Sequence, residues 1–429
     1  MTARKLISLG LIGAGTMALA VPFAAHAEGF VDDAKVSLNL RNYYYNRNFL
    51  NHTGPTVQGD DQGQIAEWAQ SFILDARSGY TAGTVGFGLD VLGMYAVKLD
   101  GGKGTIGSGL LPTHGTGNDQ HSADDFGRTA VAAKAKISKT ELKVGEWFAV
   151  LPILRGDDGR SLPQTFKGGQ ITSNEIDGLS LYGGRFNGNS QRNDASLERM
   201  SYAGFETNAF DFAGGEFKFN EKRTMVGLWH GELNDIYKQN YLQFTHSQPV
   251  GDWVLGANLG YVNTKDEGSA KAGKLDNKVY QGSFSAKIGM NTFTVNYQKL
   301  SGDNKFIKVD GTSGGTLVND GFTSAFDNVD ERSWAIRHDY NFAALGIPGL
   351  SLMNRYTKGD NVRVSATNKD GEEWARETEL AYTVQDGALK NLNIRLRNSD
   401  VRRDTGVGNA KGVDAQENRV IINYPLSIL

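Results

Sequence analysis

Apolar and polar residues alternate along several windows of about ten residues, and this period of two is the feature that most limits the possible folds. Between residues 36 and 47, one face carries Val36, Leu38, Leu40 and Tyr44, and the other carries Ser37, Asn39, Arg41, Tyr43, Tyr45 and Arg47. Similar alternation recurs at residues 333–342, 391–398 and 419–426. Side chains of a strand point to opposite faces in turn, whereas a helix would repeat near 3.6 residues. The pattern therefore predicts many strands with one apolar and one polar face.

The composition excludes several other classes of protein. Of the 429 residues, 54 are Gly, 8 are Pro and none is Cys. The absence of Cys excludes thiol chemistry, disulfides and a Cys-ligated zinc or iron–sulfur site. The 45 basic and 48 acidic side chains nearly balance, which argues against a broadly basic nucleic-acid-binding protein. No linker or shift in composition divides the chain, so we expect one domain from residue 28 to residue 429.

The first 27 residues are predicted to be a secretory signal peptide. Arg4 and Lys5 form a positive start, residues 6–20 are a mostly apolar run, and Ala25-His26-Ala27 matches a cleavage site. The apolar run is shorter than the roughly 20 residues that a membrane-spanning helix needs, and Pro22 follows it. We therefore expect cleavage after Ala27 and export from the cytoplasm.

No apolar run of about 18 residues follows the signal peptide, so a membrane location would require a closed β-barrel. The apolar face of each strand would then meet lipid and the polar face would line the lumen. Short turns are predicted at Gly251-Asp252 and Gly387-Ala388. Long loops are predicted at residues 51–64, 101–125, 151–174, 264–277, 303–330 and 357–373. Long loops at one end are typical of outer-membrane barrels. Alternation alone leaves a soluble β-sandwich open.

Several motifs in the same order along residues 28–429 resemble those of one protein family. They include Glu67-Trp68-Ala69-Gln70, Leu162-Pro163-Gln164-Thr165-Phe166, Gly346-Ile347-Pro348-Gly349-Leu350 and Tyr424-Pro425-Leu426. The chain resembles the substrate-specific outer-membrane porins of Gram-negative bacteria that are typified by the pseudomonad basic-amino-acid porin. The resemblance implies an all-β, transmembrane antiparallel β-barrel of 18 strands. It also implies a monomer whose third and seventh loops fold inward as constriction loops.

Arginines occur on the polar faces of the predicted strands. They are Arg41 and Arg47 in the first window, Arg337 and Arg355 in later windows, and Arg395 and Arg397 near the end. An arginine facing lipid at the bilayer midplane would cost about 2–4 kcal/mol, so we expect these side chains to point into water. Guanidinium groups stay charged and match carboxylates, and rings of basic side chains select anions in pores. Alternatively, the arginines only pair with Asp and Glu of the barrel wall.

The resemblance also implies a ladder of basic residues that guides carboxylate solutes. By motif it adds Arg185, in Tyr182-Gly183-Gly184-Arg185, and Arg160 of the constricting loop. Family members that take cationic amino acids carry a Ser-Asp-Phe-Asn motif near the seventh loop. The chain instead reads Ser324-Ala325-Phe326-Asp327-Asn328, and this departure favours neutral or anionic carboxylates.

Patterns that resemble enzyme motifs lie in predicted loops. Gly102-x-Gly104-x-x-Gly107 and Gly311-x-Ser313-x-Gly315 lack the strand and helix context that such motifs require, and the histidines lack zinc-site spacing. We expect no enzyme activity, cofactor or metal. The expected function is passive diffusion of small carboxylates, with outer-membrane lipid and the barrel-assembly machinery as partners. A hydrolase barrel or a general, non-selective porin remains the alternative.

Overall fold

The protein is described by a computed structural model that covers residues 29–50, 56–57, 60–406 and 414–429. The predicted signal peptide, residues 1–27, lies outside the described residues. Eighteen long strands form one sheet. They are β1 (Lys35–Phe49), β2 (Gln64–Arg77), β3 (Gly86–Asp100), β4 (Asp125–Ile137), β5 (Thr140–Trp147), β6 (Thr165–Ser173), β7 (Leu179–Ser190), β8 (Phe210–Phe219), β9 (Thr224–Leu233), β10 (Tyr237–Val250), β11 (Trp253–Asp266), β12 (Asp276–Ile288), β13 (Asn291–Gly302), β14 (Arg332–Asn341), β15 (Leu350–Val362), β16 (Gly371–Thr383), β17 (Asn393–Asp404) and β18 (Ala415–Ser427).

The sheet closes into a barrel. Each strand pairs antiparallel with the strands before and after it in the chain. The first strand also pairs with the last, from Ser37 opposite Ser427 to Phe49 opposite Ala415. Closure leaves no strand edge without a partner. The predicted 18-stranded, all-β antiparallel barrel is therefore confirmed, and the soluble β-sandwich is excluded.

The two faces predicted from alternation are present in the barrel wall. On β13, Phe293, Val295 and Tyr297 are exposed, whereas Asn296 and Gln298 on the opposite face are buried inside the barrel. The outer surface is therefore apolar and the inner surface is polar, as a barrel surrounded by lipid requires. Among the described residues, no helix is long and apolar enough to cross a membrane.

Connections differ in length between the two ends of the barrel. Residues 138–139, 251–252 and 289–290 form short turns at one end, and loops such as 101–124 and 303–331 extend from the other. By this difference the first end is periplasmic and the second is extracellular.

Two of the predicted loops were placed incorrectly. The predicted loop at 151–174 is wrong in its second half, where β6 forms. The strand β6 contains Lys167-Gly168-Gly169-Gln170. The two glycines have no side chains, so they hide the alternation of apolar and polar residues. The loop predicted at 357–373 is shorter, because β15 continues to Val362 and β16 begins at Gly371.

Two loops fold into the barrel, as the resemblance implied. The third loop (148–164) and the seventh loop (303–331) place apolar side chains against buried residues of the inner wall. The cluster includes Leu151, Ile153 and Leu154 from the third loop, Phe306, Ile307, Val309 and Leu317 from the seventh loop, and Phe186, Phe210, Tyr237, Val279 and Leu300 from the wall. Polar wall residues complete the attachment. The Nε2 atoms of Gln239 and Gln281 donate to the carbonyls of Ile307 (3.0 Å) and Thr316 (2.8 Å).

Candidate functional site: an arginine-lined aperture

One sector of the inner wall, formed by β1, β17 and β18, faces the two inward loops and is rich in arginine. Arg395 and Arg397 project inward from β17. Arg419 projects inward from β18 and stands directly opposite Arg397 in the strand register. Like charges that are directly opposite each other destabilise a sheet. Nearby acids must therefore offset part of this repulsion.

Two carboxylates of the wall are each shared by two arginines. Glu379 on β16 pairs with Arg395, at 2.7 Å between Oε2 and Nη2, and with Arg397. Glu417 on β18 pairs with Arg47, at 2.5 Å, and with Arg419. Because guanidinium groups remain protonated at any physiological pH, four positive charges stand against two negative ones. This sector of the wall therefore carries excess positive charge.

The third loop brings further charges to the same side of the lumen. Asp158 pairs with Arg41 of β1 at 2.7 Å. The Arg160 guanidinium donates through Nε to the Ser108 carbonyl (2.7 Å) and lies 5.1 Å from the centre of the Tyr45 ring. The backbone and aromatic contacts orient Arg160 without neutralising its charge.

The seventh loop places an aromatic ring among the wall arginines. The Arg397 guanidinium lies 4.2 Å from the centre of the Phe322 ring, and those of Arg355 and Arg419 lie 5.7 Å and 5.9 Å away. Arg419 also donates to the Phe322 carbonyl. Cation–π contacts of this kind hold guanidinium groups in place, so Phe322 fixes the geometry of the aperture on its loop side.

The loops and the wall together enclose a cavity of ≈ 320 Å³, which we call the aperture. Its basic lining residues are Arg160, Arg192, Lys308, Arg397 and Arg419, and its acidic ones are Asp157 and Asp320. Ala325 also lines it, at the place where the family motif for cationic substrates has an acid. The described lining of the aperture therefore has more basic than acidic side chains.

Burial changes the protonation behaviour of two seventh-loop residues in the aperture. It raises the pKa of Asp320 to about 6, against the opposing effects of Lys308 and Arg355. It also lowers the pKa of Lys308. In both residues the cause is the loss of water around the charged form.

Seven of the eight arginines predicted to lie along the solute pathway are on the inner side of the barrel. Arg160 and Arg397 line the aperture. Arg47 and Arg395 share carboxylates with Arg419 and Arg397, and Arg41 lines a separate cavity together with Asp158. Arg337 and Arg355 stand opposite each other on β14 and β15. Arg337 pairs with Asp339 at 2.7 Å, and Arg355 pairs with the buried Glu377. A role of these seven residues in transport remains a prediction.

Arg185 lies on the outer surface, which corrects its predicted position in the lumen. Its side chain is 62% exposed and pairs with Asp211 at 2.5 Å. On the same strand the neighbouring Phe186 is fully buried inside the barrel, whereas Leu181, on the same face as Arg185, is exposed. The aromatic residues of β7 face inward to support the loops, so the usual parity is reversed. The glycines before Arg185 gave no sign of this reversal.

Three basic residues of the aperture were missed from the sequence. Arg419 lies on the polar face of the last alternating window, so parity could have identified it. Arg192 and Lys308 lie in loops, and Arg192 reaches the aperture through an ion pair with Asp157. Only the path of the loops brings these two residues to the lumen, and alternation carries no information about that path.

Known proteins with similar sequences are channels. A protein family described as "outer membrane porin, OprD family" matches residues 28–428. The chain is 56% identical over 422 residues to the porin-like protein GalP of Pseudomonas putida, and the match covers 98% of each protein.

Solved structures of related porins superpose on the whole barrel. A BenF-like porin from Pseudomonas fluorescens Pf-5 gives a TM-score of 0.88 at 58% identity, covering 93% of this chain and 100% of that one. Pseudomonas aeruginosa OccK2 (OpdF), solved in complex with glucuronate, gives a TM-score of 0.83 at 53% identity, and the match covers 94% of this chain and 100% of that one. Pseudomonas aeruginosa OpdK, solved with vanillate, gives a TM-score of 0.85 at 45% identity, and the match covers 93% of this chain and 100% of that one.

Proposed function

Because the chain belongs to the OprD family of outer membrane porins, which are channels and not enzymes, we propose that it conducts small carboxylate-bearing solutes by passive diffusion. Its location is the outer membrane of a Gram-negative bacterium. We also propose that residues 1–27 are removed on export and that residues 28–429 form a single monomeric barrel domain. The barrel-assembly machinery would insert this domain among the outer-membrane lipids.

The observation that carries the proposal is the sharing of two carboxylates among four arginines beside the aperture. The uncompensated positive charge lowers the energy of an anion that passes between the inward loops and this sector of the wall. An incoming carboxylate can accept hydrogen bonds from an arginine while Glu379 or Glu417 keeps the second arginine of its pair. Exchange between several weak sites lets the solute leave again, as conduction requires.

The ligands of two related structures support a carboxylate of this kind. OccK2 was solved with glucuronate, a sugar acid, and OpdK with vanillate, an aromatic acid. Both ligands are ring compounds with one carboxylate. Together with Ala325 in the aperture, they favour cyclic organic acids over cationic amino acids as solutes.

Ion selectivity in planar bilayers tests the role of the arginines. We expect R395Q/R397Q to lower the anion-to-cation permeability ratio by about fivefold or more, since each charge contributes roughly two- to threefold at about 7 Å through water. The matched control is R185Q, which removes an arginine from the outer surface and should leave the reversal potential unchanged. Unchanged reversal potentials in R395Q/R397Q would contradict an electrostatic role for this pair.

Uptake by proteoliposomes tests the requirement for a carboxylate. Glucuronate should enter liposomes that contain the porin faster than its uncharged methyl ester, which has nearly the same size. R395Q/R397Q should remove most of this preference. Equal rates for the acid and the ester with the unmodified protein would instead indicate a general, non-selective porin.

A further inference from the structure

Four lysines lie on the outer surface of adjacent strands, close to the extracellular loops. They are Lys238 on β10, Lys265 on β11, Lys278 on β12 and Lys299 on β13. Strand parity places them outside, because neighbouring residues such as Thr264, Gln298 and Leu300 are buried inside. Within the described ranges, none of the four forms an ion pair with a carboxylate, although many other basic residues of the barrel do. We call these four lysines together with Arg332 on β14 the basic arc.

The register of the strands brings like charges of the arc directly together. Lys238 stands opposite Lys265, and Lys299 stands opposite Arg332. Arg332 pairs with Asp360 at 2.9 Å. Glu232 stands opposite Lys238 and Asp276 stands opposite Lys265 on their other sides, but within the described residues neither acid forms an ion pair with these lysines. Like charges at opposed positions destabilise a sheet. An anion between the lysines would relieve this repulsion.

A row of aromatic side chains lies below the basic arc on the outer wall. It consists of Tyr261, Tyr280, Tyr297, Trp334 and Tyr356 on β11 to β15. The rings of Tyr261 and Tyr280 are 5.0 Å apart, and those of Trp334 and Tyr356 are 5.7 Å apart. Such rows mark the boundary between hydrocarbon and head groups. On β12, β13 and β14 the basic residue lies two positions from the aromatic residue of the same strand, on the side of the extracellular loops. Two positions along a strand span about 7 Å, which places the basic residues at the level of the lipid head groups.

Among the described strands, the lysines without ion pairs lie on one side of the barrel. Outward positions near the extracellular ends of β1 and β3 carry Asn46, Asn48 and Leu99, none of which is charged. On β15 and β16 the outward basic residues Lys358 and Arg376 pair with Glu372 and Asp400. A row of lysines without ion pairs is therefore not required by the membrane itself, and among the described strands it lies on β10 to β13.

We propose that the basic arc binds a phosphorylated glycolipid of the outer leaflet, with phosphate groups between the lysines and acyl chains along the apolar wall below. Lysine ammonium groups are compact point charges that suit phosphate. The row of rings at the boundary and the apolar strands beneath it provide the surface that the sugar and acyl parts of such a lipid require. A soluble anion would not use that surface. This site is separate from the solute pathway inside the barrel.

Native mass spectrometry of the detergent-solubilised porin tests the proposal with diphosphoryl lipid A as the probe. The unmodified protein should bind this lipid and should bind phosphatidylethanolamine much more weakly. K265Q/K278Q/K299Q should weaken binding of diphosphoryl lipid A by about tenfold or more. The matched control, K139Q/K222Q/K390Q, removes three lysines from periplasmic turns and should bind normally.

Further measurements separate the proposal from its competitors. K265R/K278R/K299R, which keeps the charge, should retain binding, and circular dichroism should show a folded barrel for every variant. Single-channel selectivity should not change in K265Q/K278Q/K299Q, because the lysines lie outside the lumen. Equal binding by this variant and the unmodified protein would overturn the proposal. Displacement of the lipid by an equal concentration of inorganic phosphate would also overturn it, since it would identify a simple anion site.

Discussion

Individual residues of the inner wall balance charge repulsion against selectivity. Arg397 and Arg419 face each other across neighbouring strands, and each keeps one carboxylate that it shares with a second arginine. A full set of acids would remove the repulsion between the arginines but would also remove the positive potential in the aperture. The observed sharing keeps the strands paired while leaving excess positive charge in this sector of the wall.

We expect Asp320 of the seventh loop to make ion selectivity depend on pH. Burial raises its pKa from 3.8 to about 6, so the carboxylate is charged at pH 7 and gains a proton as the pH falls through about 6. Loss of one negative charge at the aperture should raise the anion-to-cation permeability ratio by about two- to threefold at pH 5. Reversal potentials in bilayers between pH 5 and pH 7.5 measure this change.

A variant isolates the contribution of Asp320 to this pH dependence. D320N should show at pH 7 the ion selectivity that the unmodified protein reaches at pH 5. The ion selectivity of D320N should not change as the pH passes through 6. Between about pH 4 and about pH 6, Asp320 is protonated when the loop is packed in the barrel and deprotonated when the loop is free. Packing of the loop should therefore be more stable at pH 5 than at pH 7. If the ion selectivity of D320N still changed with a midpoint near pH 6, another ionisable group would be responsible for the pH dependence.

At the scale of elements, the seventh loop is held inside the barrel by apolar contacts at one end and by close approach to the wall at the other. Ile307 is fully buried against the inner wall. Further along, a Cβ atom added to Gly321 would lie 2.8 Å from the backbone oxygen of Ser324 and 2.7 Å from Oε1 of the buried Glu377, so a larger residue would force the loop or the wall to shift. The loop is therefore a fixed part of the aperture.

Removal of one apolar anchor should loosen the seventh loop without altering charge. Ile307→Ala leaves a cavity that costs about 2–5 kcal/mol of packing free energy. We expect a larger single-channel conductance, more current noise and weaker anion selectivity, measured in bilayers under the same conditions. Ile307→Val should have a much smaller effect. The control Leu345→Ala, at a 65%-exposed position after β14, should not change the channel.

At the scale of the whole molecule, barrel closure determines which side chains meet lipid and which meet water. Val295 at the middle of β13 is 54% exposed on the outer wall, and the adjacent Thr294 faces the lumen beside Arg337. The same substitution at these two neighbours should therefore have very different effects.

Folding into lipid vesicles measures this difference. Val295→Arg should reduce the free energy of folding by about 2–4 kcal/mol, because a charge then faces hydrocarbon. Thr294→Arg should cost much less, since its side chain reaches the aqueous lumen. Equal losses for the two variants would contradict the assignment of the two faces.

Local pattern was enough to predict much of this molecule. Strand alternation placed Arg41, Arg47, Arg395 and Arg397 on the inner face, because the direction of a strand side chain depends only on its position in the strand. The 18-strand count and the inward loops came from the resemblance. Alternation failed at β6, because glycines remove the apolar and polar signal there. It also failed at Arg185, because aromatic residues of that strand face inward and reverse the two faces.

The sequence by itself determined that the chain forms two-faced strands joined by long loops at one end, since alternation and turn composition act over a few residues. Tertiary structure alone decided which groups meet. Asp158 reaches Arg41 and Phe322 reaches Arg419 across the lumen. Lys238 and Lys265 come to face each other on the outer wall. These contacts depend on the path of each loop and on the register of neighbouring strands, which packing of the complete barrel establishes and no short window of sequence contains.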